Sequence, residues 1–188
     1  MDSTTDKISS LITDLSDKNE DNRWAAAYAL AQIGAPAVDA LMSALDHRDS
    51  VVRLRAAWAL GRIGDLRPVG KLITTLRDGD WAVRMRAAEA LGKLRAVKAT
   101  DALVLALRDE KIDVRRHVIA ALTQIADPSS ADRLGDLLKD TDWRVRMGAV
   151  LALSAIGDEK SLLLIRNAAG DENQYVQKIA QSVISKKG

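Results

Sequence analysis

Residues 52–65 read VRLRAAWALGRIGD, and close variants of this string recur along the chain. They are NRWAAAYALAQIG from Asn22, VRMRAAEALGKLR from Val83, VRRHVIAALTQIA from Val114 and VRMGAVLALSAIG from Val145. Arg23, Arg53, Arg84, Arg115 and Arg146 mark the register at intervals of 30, 31, 31 and 31, and the next step of 31 reaches Gln177. The short first interval fits a shorter loop, Gly34-Ala35-Pro36 against Gly64-Asp65-Leu66-Arg67-Pro68. A fixed period of this size is the mark of a stacked repeat.

Between these strings runs a second pattern: Ile8, Leu11, Ile12, Leu15, then Val38, Leu41, Met42, Leu45, then Val69, Leu72, Ile73, Leu76. Later copies are thinner, with Leu103, Val104 and Leu107, then Leu134 and Leu138, then Leu162 and Ile165. Steps of three and four put these residues on one helix face. Each unit is therefore two helices, A and B. The punctuation agrees. Asp49, Asp80 and Asp142, with Asn19 and Asn173, stand where a side-chain oxygen caps a B helix. Gly34, Gly64 and Gly157 follow B helices, Pro36 and Pro68 open A helices, and Pro128 precedes one.

The expected fold is all-α, an α-solenoid of about six two-helix repeats at approximately 5–34, 36–64, 67–95, 98–126, 129–157 and 160–188, forming a single repeat domain over 1–188. Polar Gln177, Gln181 and Ser182 suit an end cap and a true C-terminus, and Ser9, Ser10, Thr13 and Asp14 make the first helix polar as well.

Composition narrows the function classes. Apolar residues make up 47% of the chain with Phe absent, so the core is small and aliphatic. The net charge of +2 is low for a dedicated nucleic-acid coat. Without cysteine there is no disulfide, thiolate zinc site or cysteine nucleophile. No leader pattern opens the sequence, and no apolar run approaches a bilayer span. These readings point to a cytoplasmic monomer with no membrane segment and no cofactor.

Counting about 100° per residue from the repeated arginine sorts the B positions. Offsets −1, +3, +4, +6, +7 and +10 hold Val, Ala, Ala, Ala, Leu and Ile and form the core arc. The opposite arc holds the columns that vary. Trp24, Tyr28, Trp58, Trp81, Trp143 and Tyr175 all fall there, so every Trp and Tyr of the chain lies on it. Leu54, Met85, Met147 and Ile179 add apolar surface. Arg55, Arg62, Arg86, Lys93, Arg116, Arg144, Lys178 and Lys186 outnumber Glu20, Asp21, Glu89 and Asp113. Exposed rings beside arginine are typical of binding hot spots, so a protein partner with an acidic and apolar surface fits this arc. The structural alternative is that the Trp rings pack between adjacent B helices and complete the core edge.

The D-x5-R spacing and the VRxxAAxALGxIGD string resemble the short HEAT-like repeats of phycobilin lyase subunits and many prokaryotic proteins. That resemblance implies a right-handed solenoid with B helices lining a concave face. It further implies an Asp–Arg ladder bridging neighbouring repeats, here Asp17, Asp78, Asp109 and Asp140 with Arg23, Arg84, Arg115 and Arg146. His47 and Gln177 break the pattern, so Arg53 is expected to need another acceptor and the last repeat to be weaker. The competing reading of the arginine column is an anion-binding stripe.

Catalytic constellations are missing from the sequence. His47 and His117 stand without the neighbouring Glu of the His-Glu pairs that the related deoxyhypusine hydroxylase uses. Glu89 is a lone carboxylate, and His117 on the variable arc reads better as a partner contact than as a catalyst. The leading expectation is a non-catalytic protein-binding scaffold. The resemblance also admits a phycobilin lyase-like, chromophore-handling subunit, and a basic concave face would allow nucleic-acid binding.

Overall fold

The computed structural model describes residues 3–187; Met1, Asp2 and Gly188, at the ends of the expected domain, lie outside the described residues. Twelve α-helices account for these residues, with no strand among them. In chain order they are α1 (Ser3–Asp14), α2 (Glu20–Ile33), α3 (Val38–Ala44), α4 (Ser50–Ile63), α5 (Val69–Thr75), α6 (Trp81–Lys93), α7 (Thr100–Ala106), α8 (Ile112–Ile125), α9 (Ala131–Asp136), α10 (Trp143–Ile156), α11 (Glu159–Arg166) and α12 (Gln174–Lys187). Odd-numbered helices carry the A pattern and even-numbered helices the B pattern. Short 3₁₀ turns lead into α3, α7 and α9, two of them carrying Pro36 and Pro128. Among the described residues no single helix is long and apolar enough to cross a membrane.

The B helices start where a capping side chain satisfies free N–H groups. The carboxylates of Asp49, Asp80 and Asp142 accept from Val51, Ala82 and Arg144, and Asn19 and Asn173 accept from Asp21 and Tyr175. The fourth copy departs, with Lys111 at this position and no side-chain cap. Gly34, Gly64 and Gly157 end their B helices with positive φ.

The chain divides into two compact units, Met1–Ala99 and Thr100–Gly188, each of three hairpins. In the first unit α4 packs against α2 and α6, and in the second α10 packs against α8 and α12. The core columns are sealed: Ala56, Ala57, Ala59 and Leu60 of α4 meet Ala87, Ala88, Ala90 and Leu91 of α6, all buried. Each buried leucine contributes about 1.5–3 kcal/mol, and the alanines let the helices close tightly. Gly61 sets the spacing, because a Cβ there would lie 2.8 Å from both Cα and Cβ of Ala90. The second unit solves the same contact differently. Ile119 is bulkier than Ala27, Ala57 and Ala88 in the same column of the first three copies, and Gly148 makes room for it, since a Cβ on Gly148 would lie 2.9 Å from Ile119 Cγ2.

Candidate interaction face and arginine rungs

In the first unit the variable arc gathers three rings across α2 and α4. Trp24 and Tyr28 meet Trp58 edge-on, with centroids 5.3 and 4.7 Å apart. The Arg62 guanidinium lies 5.2 Å from the Trp58 ring and 5.5 Å from Tyr28, and Arg55 lies 4.7 Å from Trp24. Trp24 and Trp58 are half-buried, so they fill the cleft between adjacent B helices while keeping an outer edge, whereas Tyr28 is 49% exposed. On α6, Trp81 is 41% exposed and Met85 is half-buried, as is Leu54 on α4.

Arg55 departs from its expected place on the open surface. It is only 4% exposed, gives Nη1 to the Val51 carbonyl at 3.2 Å, and sits 3.7 Å from Glu20 through Nη2. Its Nε is buried and makes no hydrogen bond. Burial, reinforced by the charge of Arg23, lowers the Arg55 pKa, and Glu20 offsets part of this. Arg55 is thus a buried support for the Trp24 ring, and Arg62 is the exposed cation of the cluster. Glu89 is not solitary either. Arg86 Nη1 and Lys93 Nζ donate to its two oxygens at 2.5 and 2.7 Å. Burial would raise the Glu89 pKa, but those two hydrogen bonds outweigh it and hold the group below the usual carboxylate range. That is the opposite of what a general acid needs.

In the second unit Trp143 stacks on Tyr175 at 5.5 Å and 28°, with Arg144 4.7 Å from the Trp143 ring. Tyr175 is 56% exposed and Met147 half-buried. Arg116 pairs with Asp113, and His117 Nδ1 lies 2.8 Å from the Asp113 carbonyl. A carbonyl can only accept, so Nδ1 carries the proton there.

The arginine column makes two kinds of bond. Within its own hairpin each arginine donates Nη1 backwards to a backbone carbonyl six residues earlier: Arg23 to Asp17, Arg53 to His47, Arg84 to Asp78, Arg115 to Asp109 and Arg146 to Asp140, at 2.8 to 2.9 Å. The second bond runs forward to the carboxylate of the following hairpin. Arg53 holds Asp78 with Nε and Nη2 at 2.7 and 2.8 Å, and Arg146 holds Asp171 at 2.8 and 3.0 Å. Arg115 stands 4.0 Å from Asp140. The gap at His47 therefore does not fall on Arg53, as the sequence had suggested. It falls on Arg23, whose following hairpin offers His47 and whose buried Nε makes no hydrogen bond. Each Asp also organises its own turn, as Asp78 does by accepting from the Asp80 N–H at 2.8 Å. His47 reproduces that role through Nδ1, which accepts from the Asp49 N–H, but it brings no negative charge.

The family model for HEAT repeats matches residues 5–74, 38–111 and 100–185. The chain is a HEAT-repeat protein. Among solved structures this HEAT-repeat chain is similar to an engineered protein at 24% identity and TM-score 0.67, covering 96% of each chain. It is also similar to the complex of CpcE and CpcF of phycocyanin lyase from Nostoc sp. PCC7120, at 23% identity and TM-score 0.68, covering 94% of this chain and 75% of that one. A designed armadillo repeat protein in complex with the peptide (KR)4 matches at 20% identity and TM-score 0.64, over 95% and 98% of the two chains. No curated protein sequence matches the chain. At these identities the likenesses concern the path of the backbone.

Proposed function

We propose that this HEAT-repeat protein is a non-catalytic scaffold that holds a protein partner against its B-helix face, with Trp, Tyr and Arg as anchors. The Trp24–Trp58–Tyr28 cluster, with Arg62 against its outer rings, carries this reading. Rings locked against each other lose little side-chain entropy on binding, and arginine laid on a ring face keeps donors for a carboxylate. Arg62, Arg116 and Arg144 are exposed, so the matching partner surface is apolar and acidic. The designed armadillo repeat protein of similar fold is in complex with a basic peptide, and the charge of this face calls for the opposite sign.

The test is affinity enrichment from the native host with the full chain and with Tyr28→Ala and Trp81→Ala, each checked by thermal melting. One protein enriched by the parent chain and lost from both variants, at unchanged melting temperature, supports the scaffold. Retention by both variants excludes this face. A steep salt dependence with nucleic acid as the captured species would favour nucleic-acid binding instead, and a visible absorbance shift on mixing with a bilin would favour chromophore handling.

A further inference from the structure

Because the hairpins repeat, each column provides its own reference for residues that depart from it. Several departures meet in one place on the first unit, away from the aromatic arc. An apolar groove of about 520 Å³ lies between the loop after α4 and the loop after α6, against the start of α5. Leu66, Val69, Gly70, Ile73, Arg95 and Val97 are among its lining residues, and none of the residues that line it is acidic.

Gly70 is the first departure. The position after the first buried residue of an A helix is Asp39 in α3, Asp101 in α7 and Asp132 in α9. In α5 it is Gly70, and a Cβ there would meet nothing within 4 Å. Glycine inside a helix costs about 1 kcal/mol relative to alanine, and no neighbour demands its small size here. Its effect is to leave the groove open and to remove a carboxylate.

Arg95 is the second. Copies one, two and five end their B helices on Gly34, Gly64 and Gly157, whereas the third copy holds Arg95 at φ 47°. Left-handed backbone costs a side-chain-bearing residue about 1–2 kcal/mol. Ala126 shares that conformation in the fourth copy but carries no charge. The strained position thus puts an arginine, Arg95, in the groove lining, where Lys98 is a further cation. Arg67, the remaining cation there, is already engaged by Asp65 and Asp39. The third departure is apolar. Leu66 and Val97 are 63% and 61% exposed, so the apolar surface extends outward from the groove on both of its loops, as an interface does.

We propose that this groove is a second docking site, for a segment of a partner protein that presents a large apolar side chain beside a carboxylate. The apolar side chain fills the space over Gly70 between Leu66 and Val97, and the carboxylate meets Arg95. Positive charge without any lining acid selects the acidic segment, and a cavity of this volume accommodates one or two side chains.

Amide-detected NMR of the full chain tests this with three probes: acetylated Asp-Leu-Trp-Glu, its neutral counterpart Asn-Leu-Trp-Gln, and decanoate. The acidic peptide is expected to shift the amides of Gly70, Arg95 and Val97 and to bind about tenfold tighter than the neutral one, the worth of one charge-assisted hydrogen bond. Arg95→Gly restores the repeat glycine and relieves the left-handed residue, so it keeps or raises the melting temperature while removing that tenfold preference. Gly70→Asp, which restores the repeat acid in open space, is expected to abolish the shifts. Equal affinity for the two peptides, shifts confined to other residues, or a preference that survives Arg95→Gly would overturn the proposal. Decanoate binding more tightly than the acidic peptide would reassign the groove to a small amphiphile. A concentration-dependent dimer dissolved by Gly70→Asp would reassign it to a second copy of this chain.

Discussion

Arg53 of α4 grips Asp78, at the turn before α6, through two parallel hydrogen bonds of 2.7 and 2.8 Å across neighbouring hairpins, with both side chains largely withdrawn from water. Bidentate geometry and partial burial put this pair above an ordinary surface ion pair. Asp78→Asn leaves the guanidinium half-satisfied in a dry position. The expected cost is about 2 kcal/mol, or about 4–8 °C in melting temperature for a chain of this size, read by circular dichroism.

The same contacts set an acid limit. Burial would raise the Asp78 pKa, but the hydrogen bonds from Arg53 and the Asp80 N–H overcome it, and Arg146 does the same for Asp171. Both carboxyls are thus held below their usual range. The unfolded chain takes up these protons at a higher pH than the folded chain, so the stabilisation is complete above about pH 4 and fades as pH falls through the depressed values. Melting temperature recorded from pH 7 to 2.5 should drop most steeply below pH about 4, and Asp78→Asn should flatten that drop.

Arg23 offers the reverse experiment. It keeps the backward bond to the Asp17 carbonyl, but the column that supplies a carboxylate elsewhere holds His47. His47→Asp is expected to stabilise the fold by about 0.5–1 kcal/mol in urea unfolding, as a part-exposed charged pair. The gain should vanish when Arg23→Met is also present. A gain that persists without Arg23 would show that the aspartate acts on its own turn.

Two glycines in similar helices should answer oppositely to alanine. Gly61→Ala drives a methyl to 2.8 Å from the Ala90 backbone, and forcing α4 from α6 is expected to cost about 1–3 kcal/mol. Gly70→Ala meets nothing within 4 Å and should stabilise by about 0.5–1 kcal/mol. Denaturant midpoints for the two variants settle the comparison.

The aromatic arc should separate into support and contact. Trp58→Ala removes a half-buried ring that touches Trp24, Tyr28 and Arg62, and a loss of about 3 kcal/mol is expected. Tyr28→Ala, at an exposed position, should cost less than about 1 kcal/mol. Thermal melts decide whether a binding defect of either variant is separable from unfolding.

The repeat made most of the fold legible. Spacing located the helices, alternation of Ala and Leu located the sealed columns, and Asp or Asn located the B-helix starts, because each feature is local and recurs. What one helix could not reveal was how neighbours share a residue. Arg55 lies on the variable arc by angle, yet it is buried, with its guanidinium between the Trp24 ring of the neighbouring helix and the Val51 carbonyl of its own. Counting within a repeat does not say which copy supplies the acid to an arginine, so the acceptor of Arg53, which is Asp78 of the following hairpin, is not legible from its own repeat. The groove at Gly70 and Arg95 also went unseen. Its signal was present as departures from the columns, but it becomes a place only when two loops distant in sequence come together.

The forward reach of the rung has a consequence for how such a chain can grow. Arg53 to Asp78 and Arg146 to Asp171 each span 25 residues, so a hairpin such as the one holding Asp140 and Arg146 turns an acid toward its predecessor and an arginine toward its successor. A duplicated hairpin inserted in register carries both halves of the joint with it. Gene segments of this length can therefore be copied or deleted without inventing a new seam, leaving the outer columns free to diverge.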